Sequence, residues 1–258
     1  LPIDDYGVIN RSPQRRLREI LNRPKPKFWD GRKEVTKYIY TNKDGQYQFE
    51  KIRYELDFEI WKRKKDFRCF TRSQVNPNLL RPGAPERASV LYCLPDLLRS
   101  GHRSTVHWTE GEKDTEALQA AGLVATTTHT GALKCSVQQA LWVVRARPRV
   151  VAIWVDRDYP EVTGDPRSDP EVGAYGAAIR QSALIKAGFK GRILFVEARG
   201  DQSKDAFDHL KAGFETNFGK NGIIVSDTNL IYSLAKSYAK KRVKARLNRS
   251  SLMGYTNG

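Results

Sequence analysis

The chain has 258 residues, with 45 Lys and Arg against 29 Asp and Glu, a formal charge of +16, 40% hydrophobic residues and 10% aromatics. That is enough apolar material for one large core or two small ones, which excludes wholesale disorder. Three scattered cysteines, Cys69, Cys93 and Cys135, offer neither a disulfide framework nor a thiolate zinc site and fit a reducing compartment. The opening segment lacks the apolar stretch of a signal peptide, and no apolar run reaches the ~18 residues of a membrane span, so a cytoplasmic protein with no membrane partner is expected.

The charge is uneven. Residues 1–103 carry a net +10, residues 104–225 a net 0 and residues 226–258 a net +6. This pattern suggests a basic N-terminal subdomain, an acid-containing catalytic domain and a basic C-terminal helix and tail. Cationic flanks around a neutral centre suit a protein that grips a polyanion while its carboxylates hold divalent cations. In the first segment the cations are interleaved with Tyr38, Tyr40, Tyr54, Trp61 and Phe67, a mixture that serves base stacking as well as the core positions of an ordinary half-exposed sheet.

In chain order, residues 12–22 read as a short basic helix capped by Ser12, with Pro13 at its first position. Two β-rich runs flank Asn42-Lys43-Asp44-Gly45, where Asp-Gly supplies the positive φ angles of a tight hairpin. Residues 60–75 continue as a basic strand, 76–88 form a Pro- and Gly-rich loop, and the segment after it reads as a short strand and helix. From residue 104 strand and helix alternate, the mark of a parallel sheet with crossover helices. Strands fall at 104–109, 123–131, 149–155 and 192–200, with helices at 110–122, 136–146, 176–188 and 204–213. Residues 222–227 add a fifth strand, and 228–247 form a basic amphipathic helix with Leu230, Leu234 and Tyr238 on one face.

In such a sheet ligands bind beyond the carboxyl ends of the strands, and there this sequence is acidic. Glu110-Gly111-Glu112 follow one strand, Asp156-Arg157-Asp158 another, and Asp201 and Asp205 a third. Converging carboxylates repel one another unless a hard cation neutralises them, and an all-oxygen donor set points to Mg²⁺ or Mn²⁺. The four histidines have no ligand-like spacing and are expected in core or surface roles. The stretch from Gly213 to Gly219 departs from the spacing of a phosphate-binding P-loop.

Glu110-Gly111-Glu112-Lys113-Asp114 before an apolar helix, with Asp156-Arg157-Asp158 downstream, resembles the TOPRIM domain of DnaG-type primases, type IA and type II topoisomerases and related nucleases. SKDAFDHL is similar to the family's third acidic motif and puts Asp205 in the matching place. The phrase EGEKD followed by TEALQAAGLVATTTHTGA looks especially like the primase-like proteins of phages and other mobile elements. The resemblance covers about residues 104–210. It implies a Rossmann-like α/β TOPRIM domain with a parallel sheet, preceded by a basic, mainly antiparallel β subdomain. Upstream, Arg53 in KIRYEL, Lys65 in KKDFRCF and Arg87 before Leu91-Tyr92 match basic residues that line the template and nucleotide cleft of bacterial primases, and Arg68 is a further candidate. Two departures stand out: no zinc-ribbon set of Cys and His precedes the basic region, and a loop rich in Asp, Pro and Gly is inserted after Asp158.

By this resemblance the chain would be a DNA primase, a nucleotidyltransferase making short RNA primers on single-stranded DNA during replication of a phage or mobile element. Asp156 and Asp158 would hold Mg²⁺ or Mn²⁺. Glu110 would be the general base or complete the metal shell, with Asp205 joining the metal set and Asp114 in support. Arg53, Lys65, Arg68, Arg87, Lys113 and Gly131 would bind nucleotide and DNA. Partners would be single-stranded DNA, ribonucleoside triphosphates and a replicative helicase on another chain. Two alternatives remain open: a TOPRIM nuclease, and a non-catalytic single-stranded DNA-binding accessory protein.

Overall fold

The computed structural model describes residues 32–56, 65–73, 76, 79–85, 89–131, 133–160 and 169–253. The expected helix at 12–22, the basic stretch at 60–64 and most of the loop inserted after Asp158 lie outside these residues. The strands are β1 (Arg32–Thr41), β2 (Tyr47–Leu56), β3 (Lys65–Arg72), β4 (Leu80–Pro82), β5 (Thr105–Trp108), β6 (Val124–Thr126), β7 (Val150–Trp154), β8 (Arg192–Glu197) and β9 (Ile224–Val225). The helices are α1 (Leu94–Ser100), α2 (Glu112–Ala120), α3 (Val137–Ala146), α4 (Pro170–Lys186), α5 (Ala206–Lys211) and α6 (Thr228–Met253). Among the described residues no helix is long and apolar enough to cross a membrane.

The chain forms a four-stranded sheet in the order β1-β2-β3-β4 and a five-stranded sheet in the order β6-β5-β7-β8-β9. It divides into two compact units, one of Leu1–Lys37 and Ile52–Phe67 and one of Tyr38–Lys51 and Arg68–Gly258. In the smaller unit β2 buries Ile52, Tyr54 and Leu56, alternate residues that share one face of a strand. Arg32 Nη1 donates to Asp66 Oδ2 at 2.7 Å.

The larger unit contains the hairpin turn, where Gly45 takes φ +82° and donates its N–H to the Asn42 carbonyl. β4 lies inside the stretch expected to be a loop and pairs antiparallel with β3. Its Pro82 is tolerated because the strand is at an edge. Residues 89–93 do not form the expected strand. Instead the Tyr92 N–H donates to the Thr127 carbonyl, and Cys93, at φ 55°, turns the chain into α1.

The five-stranded sheet is parallel from β6 through β8. The composition of β7, VVAIW, is the near-continuous apolar run of a strand covered on both faces, and four of its five residues are buried. One face packs Val106, Trp108, Val151 and Ile153 with Val143, Ala177 and Leu184. The other packs Ala152, Trp154 and Val196 with Leu118 and Ala206, and there Trp154 Nε1 donates to His107 Nδ1 at 3.1 Å. β9 differs from the alternating expectation in running antiparallel to β8.

From β5 the chain moves to β6 on one side, then returns past β5 to place β7 on the other. The carboxyl ends of β5 and β7 therefore form a topological switch point, where divergent loops open a crevice for ligands. α4 packs against the Asp156 backbone because the buried positions of its first turns are small residues. Asp169 caps it by accepting from the Glu171 N–H, Pro170 occupies its first turn, and Gly173, Ala174, Gly176 and Ala177 are buried. At Gly173 a Cβ would overlap the carbonyl oxygen of Asp156. Gly173→Ala is therefore expected to force α4 and the Asp156 backbone apart, at a cost of about 1–3 kcal/mol for overpacking. Thermal unfolding measures this, and an unchanged Tm would show that the helix can retreat freely.

Candidate functional site

The turn after β5 is pinned before any acidic side chain is considered. Thr109 Oγ1 donates to the Gly111 carbonyl at 2.9 Å and lies 2.7 Å from Thr115 Oγ1, and Thr127 Oγ1 donates to the Thr109 carbonyl at 2.9 Å. These bonds fix where Glu110 leaves the strand. Arg180, 3% exposed on α4, then ties the two strand ends together. Its Nη1 donates to the Thr109 carbonyl at 3.0 Å, and its Nη2 donates to the Trp154 carbonyl at 2.9 Å and to Glu110 Oε1 at 3.3 Å.

Asp156 and Asp158 follow β7 and meet a single ammonium. Lys204 Nζ lies 2.8 Å from Asp158 Oδ1 and 3.9 Å from Asp156 Oδ2. The Arg157 N–H donates to the Lys204 carbonyl, and Arg157 Nη1 donates to the Gly200 carbonyl at 2.7 Å, so this loop is laced to the one after β8. Asp205 caps α5 by accepting from the Asp208 N–H at 2.9 Å. Asp114, buried on α2, accepts from the Phe207 N–H at 3.1 Å. Lys113 places its ammonium 3.5 Å above the centre of the Phe207 ring, a cation–π contact.

The electrostatics of this group are those of crowded anions. Burial, and then the Asp156 charge, hold Glu110 well above the usual carboxylate range, with Arg180 opposing. Burial followed by Asp156 and Asp205 does the same to Asp114. Asp156 is pushed up to about 7 by burial, with Lys204 opposing and Asp205 and Asp158 adding to the rise. Burial pulls Lys204 down, but the carboxylates around it more than offset this and keep its ammonium above the usual range.

This donor set fits a hard divalent ion. It is all oxygen, its charges repel, and the position between Asp156 and Asp158 already takes a cationic group. Among the described residues no three His, Cys, Asp or Glu side chains together form a metal cage. Mg²⁺ is commonly held by one or two carboxylates plus substrate phosphates and water rather than by a protein cage, so Asp156 and Asp158 are the residues that would hold it.

Of the residues singled out from sequence, Glu110, Asp114, Asp156, Asp158 and Asp205 come together. Lys113 sits at their margin, and Gly131, at φ +69°, closes the loop after β6. Arg68 is exposed on β3, whereas half-buried Arg53 and exposed Lys65 belong to the smaller unit. Arg87 lies outside the described residues. Sequence reasoning missed Arg180 and Lys204, although an Arg within the small apolar run AAIRQSAL was a detectable signal. It also missed the role of Glu112, which accepts from Lys51 Nζ at 2.7 and 3.0 Å and from the Tyr40 hydroxyl at 2.5 Å. Buried by these partners, Glu112 anchors the hairpin to the start of α2.

The chain is structurally similar to DnaG-type and T7 primase catalytic cores. A DNA primase domain from Pseudomonas aeruginosa is 15% identical, with a TM-score of 0.48 over 72% of this chain and 48% of that one. The DnaG catalytic core is 13% identical, with a TM-score of 0.47 over 71% and 49%. The primase fragment of the bacteriophage T7 primase-helicase protein is 13% identical, with a TM-score of 0.40 over 68% and 58%. The chain thus spans about half the length of the first two. No family model matches the sequence, and no curated protein matches it.

A folded-state pKa raised above the unfolded value means that Asp156 holds its proton more tightly in the native state. It therefore costs stability increasingly as pH rises from about 4 through about 7. Asp156→Asn in chelator is expected to raise Tm at pH 8 by about 2–4 °C per kcal/mol relieved, to leave it unchanged near pH 4, and to lose much of the gain when Mg²⁺ is added. His107 and His129, both lowered to about 4, the first by burial and the second by burial and then Lys51, cancel in this comparison. A variant less stable than the parent at pH 8 would contradict the crowding.

Proposed function

We propose that this chain is a primase-like nucleotidyltransferase that synthesises short RNA primers on single-stranded DNA, in the replication of a phage or mobile element. The observation that carries this reading is the convergence of Glu110, Asp156 and Asp158 at a switch point whose cationic partners, Arg180 and Lys204, come from elsewhere in the same unit. The EGEKD and DRD motifs and the basic flanking segments support it.

In this proposal Asp156 and Asp158 would hold Mg²⁺ or Mn²⁺, which would supply neutralisation of phosphate charge when bound. The primer 3′-hydroxyl attacks the α-phosphate of an incoming ribonucleoside triphosphate in line, and pyrophosphate leaves. Glu110, whose proton affinity burial and Asp156 raise and whose carboxylate Arg180 holds, would accept the hydroxyl proton. Asp205 completes the metal set, and Asp114 keeps the start of α5 in place through the Phe207 N–H. Lys204 balances Asp158 in the free protein. Arg53, Lys65, Arg68, Arg87 and Lys113 orient the triphosphate and template, and the Gly131 loop offers backbone N–H groups to phosphate. The charge-based division into a basic subdomain (1–103), a catalytic domain (104–225) and a basic tail (226–258) belongs to this proposal, as does a replicative helicase supplied by another chain.

The same carboxylates would equally serve a TOPRIM nuclease, with water replacing the 3′-hydroxyl as the nucleophile. Incubation with single-stranded template, labelled ribonucleotides and Mg²⁺ or Mn²⁺ separates the readings. Oligoribonucleotides are expected, falling by on the order of 10²–10³ in Asp156→Ala, while the variant still binds DNA. Degraded template would favour the nuclease, and DNA binding with neither product would favour a non-catalytic accessory protein. Lys65→Ala is expected to weaken DNA binding and to flatten its salt dependence, by about one unit of log–log slope if Lys65 meets a phosphate.

A further inference from the structure

Helices α4 and α6 of the larger unit lie side by side and antiparallel. The Tyr232 hydroxyl, near the start of α6, donates to Gln181 Oε1, toward the end of α4, at 2.6 Å, and Lys241, later in α6, pairs with Asp169 and Glu171 at the start of α4. A groove runs along this pair. Its first part, of about 420 Å³, is lined by Tyr175, Ala178 and Ile179 of α4 and by Tyr232, Ala235 and Ala239 of α6 among others. A second hollow of about 390 Å³ shares Ala239 and continues to Val243. On both helices the lining positions recur at three- and four-residue spacing, which makes each wall one continuous helix face. From Tyr232 to Val243 the groove follows three turns of α6, roughly 16 Å.

The walls are apolar and the rim is cationic. Tyr232 is 39% and Val243 59% exposed, which leaves apolar surface in water. Lys236, Lys240 and Lys244 line the same side of α6, all exposed, and their four-residue spacing sets them about 6 Å apart along the helix. None of the three has a carboxylate partner among the described residues, whereas Lys241 has two. Neither α6 nor the part of α4 beyond Glu171 contains an Asp or Glu. The anions that would balance this rim are thus absent from both helices that form it.

We propose that the α4–α6 groove docks an amphipathic helix of a partner protein, with the partner's apolar residues seated between Ile179 and Ala239 and its acidic residues facing Lys236, Lys240 and Lys244. Contiguous exposed apolar surface rimmed by polar groups marks protein interaction sites, and a helix laid in a groove is read through anchors at i, i+3, i+4 and i+7. Ala178, Ala235 and Ala239 keep the walls low, so a third helix can approach to the ordinary packing distance of about 8–10 Å. Carboxylates at every fourth position of that helix would repeat at the pitch of the lysines. A nucleic-acid strand suits the rim but not the walls. Ile and Ala side chains offer phosphate no hydrogen bond, and both tyrosine rings are already engaged. Tyr175 packs against Tyr238 at 5.2 Å and under the Arg242 guanidinium at 5.5 Å, and Tyr232 stands edge-on to Phe195 at 5.9 Å. A lipid surface would meet the lysines without filling a concave groove between two helices.

The test uses the full chain in chelator, without template or triphosphate, so its outcome does not depend on the polymerase reading. The probe is a synthetic peptide about four helical turns long, with Leu at i, i+3, i+4 and i+7 and Glu beside them, compared with a peptide of the same composition in scrambled order. The ordered peptide is expected to bind at least about tenfold more tightly than the scrambled one, and less tightly as salt rises. Lys236→Glu combined with Lys240→Glu reverses the rim at exposed positions and is expected to abolish that preference. Ala239→Arg fills the groove while adding positive charge, so it is expected to lose the peptide and keep its attraction for a single-stranded oligonucleotide. Thermal unfolding checks that this variant folds, and the lysine variant decides the matter if it does not. Equal binding of the two peptides, or a preference untouched in the folded variants, overturns the proposal. Loss of oligonucleotide or phosphatidylserine-vesicle binding in folded Ala239→Arg would put nucleic acid or lipid in the groove instead. A parent that sediments as a dimer and becomes monomeric on these substitutions would put a second copy of the chain there, and either result overturns the proposal as well.

Discussion

Carboxylates forced together at the carboxyl ends of β5 and β7 are the constraint around which the rest of the larger unit is arranged. Anions so placed, with little water to screen them, raise one another's proton affinity and would drive the loops apart. The fold answers with fixed cations from two directions. Arg180 reaches across from α4 to hold both strand carbonyls together with Glu110, and Lys204 from the β8–α5 loop sits against Asp158 and Asp156. Strand ends, helix start and following loop are thereby locked into one arrangement by charge as much as by packing.

A second, separate charge pairing holds the hairpin. Glu112 stands two residues beyond Glu110 and yet does different work. Turned into the interior at the first turn of α2, it binds Lys51 and Tyr40 and so joins β1 and β2 residues of the larger unit to the turn that carries Glu110. A carboxylate in that position also complements the positive end of the helix dipole. One short acidic phrase thus divides its labour, with Glu110 bonded to Arg180, Glu112 supporting the scaffold and Asp114 bonded to the start of α5.

Much of this was legible in the sequence because the informative residues are unlike their surroundings. VVAIW followed by Asp156 is an apolar run that stops at an acid, and Asp-Gly at 44–45 is a hairpin in two letters. The partners were harder to read. Two of the three acceptors of Arg180 are backbone carbonyls, Thr109 and Trp154, which leave no mark on residue type. Lys204 looked like any charge before a helix cap. Glu112 could not be told from Glu110 by type or by position near a strand end, since only the burial of its side chain separates them. The direction of β9 was equally hidden, because a two-residue strand has no pattern from which orientation can be read. The strand expected just before α1 failed for a related reason. Its apolar residues pack in the core, but their backbone is satisfied by Thr127 and by the Thr126 hydroxyl rather than by a ladder.

The lengths of the outermost strands bear on how the protein behaves in a crowded cell. The five-stranded sheet ends in three-residue β6 on one side and two-residue β9 on the other, so its rims offer few open amide positions to a neighbouring chain. In the other sheet, the described outer strand β1 runs for ten residues but begins Arg32-Lys33-Glu34 and carries Lys37, charges that discourage stacking by like molecules. Intermolecular β-association thus meets either a very short template or a cationic one, and a chain rich in strands can stay dispersed at high concentration.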